Sequence, residues 1–221
     1  MSPALEKAAA GTLFGIALNY QGLLQSRLDE FEKPPYQRPP IKPVLFIKTP
    51  NTRNAHNRPV IFPLGVERLQ PGPALGVVIG KSASRVSRED AMAHVAGYVI
   101  VNEFSLPEDS YYRPAVKAKC RDGFCPIGPE LVPAAQVGNP NHLTLKLFVN
   151  GEVRQENTTA NWVRDIPQLI AELSEFMTLS EGDVLITGTP EGRVDVHPGD
   201  TVEVEITGLG RLRNSIVAEE A

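Results

Sequence analysis

The sequence has little cysteine, and this shortage excludes whole classes of protein. Cys120 and Cys125 are the only two cysteines among 221 residues, so the chain is not a disulfide-rich secreted scaffold, and we expect a reducing, cytoplasmic location. Their Cys-x4-Cys spacing has no second pair of ligands beside it, and His142 is distant in sequence, which argues against a zinc site. We expect two unreactive thiols.

The sequence also lacks a basic excess and a long apolar run. The formal net charge is -4 at pH 7 and no basic cluster is present, so nothing favours nucleic acid as a partner. No apolar stretch approaches the roughly 20 residues that a membrane-spanning helix needs, and we expect no membrane partner. The N-terminus lacks the basic segment followed by an apolar one that marks a secretory signal.

Familiar catalytic signatures are missing as well. The four histidines, His56, His94, His142 and His197, are scattered, and none has a neighbouring carboxylate or cysteine that suggests a triad. The sequence contains no Gly-x-Ser-x-Gly, no Walker loop and no His-Glu-x-x-His. Such motifs therefore indicate no reaction.

Proline and glycine are plentiful, and one stretch between them organises the fold. The 20 prolines and 18 glycines are spread along the chain, which is typical of many short strands and turns. Residues 75–79 form an apolar run rich in β-branched residues and bounded by Gly and Pro, which predicts a strand buried on both faces. Gly72, Pro73 and Ala74 precede this strand, and none of them can donate a proton or hold a metal.

Periodicity predicts many strands and few helices. Further strands are predicted at 11–19, 44–48, 98–105, 143–149, 184–186 and 201–206. Helices are predicted at 20–32, from Ser87 to Gly97, and after the cap Asp165, where the apolar stripe is Ile166, Leu169, Ile170, Leu173, Phe176 and Met177. The stretches 34–43 and 49–63 are predicted loops.

These elements predict an α+β, mainly β fold of mixed sheets, since no alternating βαβ units occur. The length suits a single domain over residues 1–221. Within it we expect N-terminal strands and loops up to about residue 70 and the core in 71–221.

Two segments carry residue types that suit chemistry. The loop 117–129 combines four charges with small and aromatic residues, and it could present Lys119 or Arg121 to a carboxylate or be simply a solvated loop. In 186–192 a buried strand ends in hydroxyls, glycines and a proline, a pattern that suits either an anion cradle or a tight turn. The residues alone thus indicate a candidate anion pocket.

Several short motifs occur in a characteristic order, at 75–80, 97–105, 124–129, 187–192, 198–200 and 208–214. In this order they resemble the fumarylacetoacetate hydrolase superfamily over nearly the whole chain. Residues 105–108 and 112–128 resemble one subfamily more closely. That subfamily is the amino-terminal half, or separate first subunit, of the bifunctional isomerase/decarboxylase of 4-hydroxyphenylacetate degradation.

The resemblance implies a reaction on 2-oxo acids. The subfamily decarboxylates 5-oxopent-3-ene-1,2,5-tricarboxylate and isomerises 2-hydroxyhepta-2,4-diene-1,7-dioate to its 2-oxo form. In the family, Mg²⁺ or Mn²⁺ bound to the carboxylate and keto oxygens would stabilise the enolate that forms. The ligand partner is therefore expected to be a small 2-oxo di- or tricarboxylate.

The resemblance also assigns the residues that bind and act on the substrate. Lys119 matches the active-site lysine of the family, and Thr189 matches the substrate-contacting threonine, with Gly188 beside it in the same loop. Arg113 is expected to bind a substrate carboxylate. The histidine found in relatives falls at Leu23.

The metal ligands implied by the resemblance are mostly missing. Of the three positions, Glu103 keeps a carboxylate, whereas Gly72 and Ala74 replace the other two. One acid cannot hold Mg²⁺ tightly in competition with water. We therefore expect the metal to be absent or weakly bound.

Three functions remain open at this point. The chain could be an active decarboxylase/isomerase subunit, or a catalytically silent paralogue that assembles with a metal-bearing subunit. It could also be another 2-oxo-acid hydrolase of the superfamily, such as an acylpyruvate hydrolase, although the missing ligands speak against this. The resemblance implies a homodimer or a hetero-oligomer with the metal-bearing paralogue.

Overall fold

A computed structural model of the chain describes residues 3–108 and 110–220 and shows two β-sheets with few helices. The strands are β1 (Leu13–Ala17), β2 (Val44–Lys48), β3 (Arg53–Ala55), β4 (Val60–Phe62), β5 (Pro73–Ile79), β6 (Val95–Asn102), β7 (Cys125–Pro133), β8 (Thr144–Val149), β9 (Glu152–Thr158), β10 (Val184–Ile186), β11 (Thr201–Ile206) and β12 (Gly210–Ala218). The helices are α1 (Pro3–Ala8), α2 (Gln21–Gln25), α3 (Leu28–Phe31), α4 (Val116–Lys119) and α5 (Ile166–Ser174). The predicted α+β, mainly β fold is confirmed.

The larger sheet is built around β5. Its strand order is β2-β1-β10-β5-β6-β7-β3, with β1–β10 and β3–β7 parallel and the other pairs antiparallel. Every residue of β5 is buried, which confirms the strand predicted at 75–79. Because side chains alternate along a strand, Leu75 and Val77 join one apolar cluster while Ala74 and Val78 join another on the opposite face.

The smaller sheet covers one of those faces. Its order is β4-β12-β11-β8-β9, and β8 and β11 alternate strictly between buried and half-buried residues. This is the pattern of a sheet with one face on the core and one towards solvent. Leu147 and Val204 lie in the same apolar cluster as Leu75 and Val77, so the two sheets share one core.

Helix α5 begins as predicted but ends early. The side chain of Asp165 accepts a hydrogen bond from the Gln168 N–H and caps the helix. The apolar stripe is buried as far as Leu173, but Phe176 is 67% exposed, so including it was wrong. The chain leaves the helix after Ser174 because Leu179 pairs with Ala83 in an isolated bridge.

The helix predicted over 20–32 is wrong as a single element. Tyr20 is extended and forms a β-bridge with Trp162, and the non-helical Arg27 separates α2 from α3. No residue of α2 is buried. A long helix lacks stabilisation here because helices in proteins depend on burying an apolar face.

The predicted loop at 49–63 and the helix predicted to end at Gly97 also need correction. The loop contains β3 and β4, which pair in parallel with the distant strands β7 and β12. These three-residue strands have no pattern of their own and exist because of their partners. After Ser87 only a 3₁₀ turn forms, and β6 already begins at Val95, which pairs with Ile79.

Residues before 70 contribute to both sheets, since β1, β2 and β3 lie in the larger sheet and β4 lies in the smaller one. Across the described ranges, no helix is long and apolar enough to cross a membrane.

Candidate active site

Three cationic side chains meet at one buried carboxylate. Glu103 follows β6 directly, and its side chain is 1% exposed. The Nζ of Lys48 lies 2.8 Å from its Oε1, while Lys119 Nζ and Arg193 Nη2 lie 3.0 and 2.5 Å from its Oε2. The end of β6 therefore leads into a charged cluster.

Lys48 holds the elements around this cluster together. It ends β2, is fully buried, and donates to the carbonyl oxygens of Phe104, Lys119 and Phe124 at 2.6, 2.7 and 3.2 Å. An ammonium group has three N–H donors, so its contact with Glu103 is chiefly one of charge. Lys48 is thus a positioning residue that joins β2, the end of α4 and the segments beside β6 and β7.

Lys119 is the last residue of α4 and lies between two carboxylates. Besides Glu103, it contacts Glu108, with 2.8 Å between Nζ and Oε2. Its Nζ also lies 4.5 Å from the ring centroid of Phe46, a cation–π distance. A Cβ at Gly15 on β1 would overlap this ring, so glycine lets Phe46 pack against the site.

Arg193 reaches the carboxylate from the loop after β10. Its Nη1 lies 3.4 and 3.3 Å from the carbonyl oxygens of Gln70 and Glu103. The side chain of Arg193 is 20% exposed, whereas that of Glu103 is 1% exposed. The guanidinium therefore extends from the buried carboxylate towards solvent.

The charges around Glu103 fix its ionisation. Burial alone would raise the pKa of Glu103, but the attraction of Lys119, Lys48 and Arg193 outweighs burial and holds this pKa well below its usual range. Burial lowers the pKa of Lys48, although Glu103 opposes that effect. Three cations face the two carboxylates of Glu103 and Glu108, and the excess of one positive charge favours an anionic ligand.

A small pocket lies against this cluster. Its volume is about 30 Å³, and it is lined by Glu103, Lys119, Arg193, Thr189 and Gly188 among others. Gly188 has φ +110, and a Cβ there would lie 2.9 Å from the carbonyl oxygen of Ile16. Glycine is therefore needed where the loop turns past β1.

Two larger cavities adjoin the small pocket. One of about 280 Å³ is lined by Arg193, and one of about 510 Å³ is lined by Lys119. Glu108 and Tyr111 line both cavities and the small pocket as well. These two side chains therefore lie where the charged cluster meets the outer cavities.

The structure brings together most of the residues that the resemblance singled out. Glu103, Lys119, Thr189, Gly188 and Leu23 all line the small pocket, and Leu23 supplies an apolar surface where a histidine was implied for the family.

The two arginines named from the sequence lie elsewhere. Arg113 is exposed and lines the 510 Å³ cavity. Arg121 donates to the carbonyl oxygen of Lys117 and lines a separate cavity beside Phe124 and Val217. The roles given to Lys119, Arg113, Thr189 and Gly188 stay predictions.

Lys48, Glu108 and Arg193 were not predicted from the sequence as residues of the site. Each had a weak signal: Lys48 is a charge at the end of an apolar strand, and Arg193 follows the predicted anion cradle directly. Glu108 belongs to a motif of the subfamily but has no distinctive neighbour. Nothing in the linear pattern shows that these side chains converge.

The residues present do not fit Mg²⁺ or Mn²⁺. Ala74 is buried in an apolar cluster, and a Cβ at Gly72 would lie 2.5 Å from the carbonyl oxygen of Glu103 and 2.9 Å from Arg193 Nη2. Both carboxylate oxygens of Glu103 already face cations. Within 3–108 and 110–220, no group of three or more His, Cys, Asp or Glu side chains could hold a metal ion.

The cysteines and histidines take no part in this cluster. Both thiols are free, and burial raises the pKa of Cys125 to about 12, which makes it an unreactive thiol. The backbone N–H of Arg213 donates to His56, and His94 contacts the carbonyl oxygen of Lys81.

Comparison with known sequences gives consistent matches. The family model for the fumarylacetoacetate (FAA) hydrolase C-terminal region matches residues 12–217. The chain is 47% identical over 216 residues to a 4-hydroxyphenylacetate degradation bifunctional isomerase/decarboxylase of Salmonella dublin, which covers 97% of this chain and 48% of that protein. The chain spans about half the length of the curated relatives of this kind.

Solved structures share the fold. A 5-carboxymethyl-2-hydroxymuconate delta-isomerase from Mycobacterium smegmatis is 31% identical with a TM-score of 0.83, covering 97% of this chain and 81% of that one. A fumarylpyruvate hydrolase from Pseudomonas aeruginosa, solved in complex with Mn²⁺ and pyruvate, is 28% identical with a TM-score of 0.82, covering 95% and 90%.

Proposed function

The chain belongs to the fumarylacetoacetate hydrolase family, and from that premise we propose that it is one subunit of a decarboxylase/isomerase for 2-oxo di- and tricarboxylates. The proposed substrates are 5-oxopent-3-ene-1,2,5-tricarboxylate and 2-hydroxyhepta-2,4-diene-1,7-dioate, in 4-hydroxyphenylacetate degradation. Relatives of that pathway support this choice, since their similarity extends over 95–97% of the chain. We place the activity in the cytoplasm, where two free thiols stay reduced.

One observation carries the proposal: a small pocket is lined by Lys119 and Arg193, whose cluster has one positive charge in excess. Such a pocket attracts carboxylates and stabilises negative charge that develops on a bound oxygen. Thr189 and Gly188 line the same pocket and would orient the substrate.

Both reactions pass through the same kind of anion. In decarboxylation the bond between the substrate's carbon skeleton and one of its carboxylates breaks, and CO₂ leaves. The electron pair of that bond moves through the double bond onto the keto oxygen. The dienolate then takes a proton on oxygen. In isomerisation the hydroxyl proton leaves and a proton returns to carbon, which gives the 2-oxo form. A cation beside the dienolate oxygen lowers both barriers.

Lys119 is the group that we assign to that oxygen. It lies at the pocket beside Arg193, and its contact with Glu108 is one that a substrate carboxylate or enolate oxygen would replace. As an ammonium ion it both stabilises the developing charge and supplies a proton to the dienolate oxygen. Arg113, on the wall of the 510 Å³ cavity, would bind the distal carboxylate of an extended substrate.

A silent partner is the second candidate function. Leu23 occupies the position of the family histidine, the described pocket is only about 30 Å³, and the chain spans about half of its curated relatives. In this alternative the chain packs on a metal-bearing paralogue and completes its assembly without turning over substrate. A different 2-oxo-acid hydrolysis is the remaining and weaker alternative.

The test is tricarboxylate decarboxylation by the purified chain, followed as CO₂ release with EDTA and with added Mg²⁺. We expect turnover in EDTA, a fall of about 10²–10⁴-fold in Lys119→Ala, and no change in Lys117→Ala, an exposed lysine on the same helix. Activity that appears only after mixing with a metal-bearing paralogue would favour the silent partner.

A further inference from the structure

We propose that Arg193 binds the 2-oxo acid directly, in the role that a divalent ion has in metal-binding relatives. This inference rests on the proposed function and adds a residue that the sequence resemblance did not assign. The inference concerns how the ligand is held. The relative from Pseudomonas aeruginosa was solved in complex with both Mn²⁺ and pyruvate.

The guanidinium of Arg193 lies beside two of the implied metal-ligand positions. Glu103 is the one carboxylate kept among the three implied ligand positions, and Arg193 Nη2 lies 2.5 Å from its Oε2. The same Nη2 would lie 2.9 Å from a Cβ at Gly72, the second of those positions. A cation therefore sits beside the retained acid, in the space that a side chain at Gly72 would enter.

The Arg193 guanidinium also reaches the space where a ligand would bind. Arg193 lines both the small pocket and the 280 Å³ cavity, and its side chain keeps 20% exposure. Its Nη1 donates to the carbonyl oxygens of Gln70 and Glu103, and its Nη2 donates to Glu103 Oε2. Because a permanently charged guanidinium presents five N–H donors in a planar fork, donors remain for the oxygens of a ligand carboxylate. A ligand in the pocket can thus be bound by a cationic N–H donor of the protein. No metal-bound water has to be displaced first.

The net charge of the cluster favours an anionic ligand over a metal ion. The contacts of Lys48 commit its three N–H donors to carbonyl oxygens, whereas Lys119 and Arg193 line the pocket. A divalent ion placed here would add two positive charges beside three cations and only two carboxylates. An anionic ligand has the opposite effect, because it compensates the excess charge.

Arg193 could alternatively be a structural ion pair that only neutralises Glu103. Both roles explain the 2.5 Å contact, so stability alone cannot distinguish them. The two roles predict different ligand affinities in the absence of metal. If Arg193 only neutralises Glu103, the affinity should hardly depend on the shape of the guanidinium. If Arg193 binds the ligand, the affinity should depend on that shape.

The experiment measures oxalate binding by calorimetry in EDTA, because oxalate is a planar mimic of a 2-oxo acid enolate. We expect the wild-type chain to bind oxalate in EDTA, and Arg193→Met to bind about 10- to 100-fold more weakly, as loss of a charged hydrogen-bond donor predicts. Arg193→Lys should fall between them, since it keeps the charge and loses the fork.

Arg211→Met is the matched control. Arg211 Nε also lies 2.5 Å from a glutamate oxygen, that of Glu205 Oε2, but the pair is exposed on the smaller sheet. Its oxalate affinity should equal that of the wild type. Circular dichroism melts of all variants show whether each is folded. If Arg193→Met is not folded, the comparison of Arg193→Lys with the wild type still tests the proposal.

Three outcomes overturn the inference. Equal affinity in Arg193→Met and wild type would assign Arg193 a structural role. Oxalate binding by the wild type only with Mn²⁺, together with stoichiometric Mn²⁺ in equilibrium dialysis, would restore the metal and leave the proposed function standing. Absence of oxalate and pyruvate binding under both conditions would remove the proposed function as well.

Discussion

At the scale of single residues, the site depends on Glu103. Its carboxylate is the common partner of Lys48, Lys119 and Arg193, and without it three cations, two of them almost fully buried, would face each other. Removing one partner of a buried ion pair costs more than the pair contributes, because the remaining charge stays desolvated.

We therefore expect Glu103→Gln to lower the free energy of unfolding by about 3–5 kcal/mol. Urea denaturation at pH 7 measures this loss. Glu175→Gln is the control, since the carboxylate of Glu175 is exposed and lies 3.5 Å from Lys42, and its midpoint should match that of the wild type. Coinciding midpoints for the two variants would contradict the role given to Glu103.

The difference in stability between the wild type and Glu103→Gln should depend on pH. The pKa of Glu103 in the folded chain lies below its usual range, so its contribution is complete above the unfolded pKa of about 4.3 and is lost as pH falls towards the folded pKa. The difference in midpoint between wild type and Glu103→Gln should hold from pH 7 to 5 and shrink below about pH 4.

Residues carried by local motifs could be predicted from the sequence, whereas those brought in by tertiary structure could not. Lys119, Thr189 and Glu103 stand in recognisable motifs, and the structure places all three at one pocket. Arg193 and Lys48 are 90 and 55 residues from Glu103 in sequence. Their significance comes only from the arrangement of β2, β6 and the loop after β10 around one carboxylate.

At the scale of elements, the chain between β6 and α4 supplies a carboxylate that competes for Lys119. It carries Glu108, whose carboxylate contacts Lys119 at 2.8 Å, and Tyr111, and both line the small pocket and the two outer cavities. An anionic ligand that approaches Lys119 must compete with Glu108, which is itself part of the chain.

We expect Glu108→Gln to bind oxalate about fivefold more tightly in EDTA. The reason is that a partly exposed ion pair contributes up to ~1 kcal/mol, and this competing attraction for Lys119 is removed. Titration calorimetry measures the affinity. Glu89→Gln, at an exposed position outside these cavities, should leave the affinity unchanged, and weaker binding by Glu108→Gln would assign Glu108 to ligand recognition.

Elements with a strong internal pattern followed the sequence, and those that depend on a partner did not. β8 and β11 have clear periodicity and β5 is a continuous apolar run, and all three formed as predicted. The stripe of α5 is buried as predicted up to Leu173. β3 and β4 have three residues each and exist only as parallel additions to β7 and β12. The continuous helix over 20–32 failed because Tyr20 is held in a bridge to Trp162.

At the scale of the whole molecule, the N-terminal third is built into both sheets. β1 lies between β2 and β10, and β4 extends the sheet of β8 and β11. The sole tryptophan, Trp162, is buried and bridges to Tyr20. The predicted single domain of residues 1–221 therefore has a direct optical probe at a contact between its two parts.

We expect Trp162 fluorescence and far-ultraviolet circular dichroism to report one urea transition with the same midpoint and the same slope. A shared core couples the sheets, so neither part should unfold first. Equilibrium denaturation followed by both probes measures this. A fluorescence change that precedes loss of strand signal would instead divide the molecule near residue 70.

The short distances around Gly72 couple two positions of the site. A glutamate introduced at residue 72 alone would collide with the carbonyl oxygen of Glu103, 2.5 Å from its Cβ, and with the Arg193 guanidinium at 2.9 Å. Replacing Arg193 alone would leave Glu103 paired with Lys48 and Lys119 and still without a second ligand. Substitutions at the two positions are thus epistatic, because neither one creates a metal site without the other.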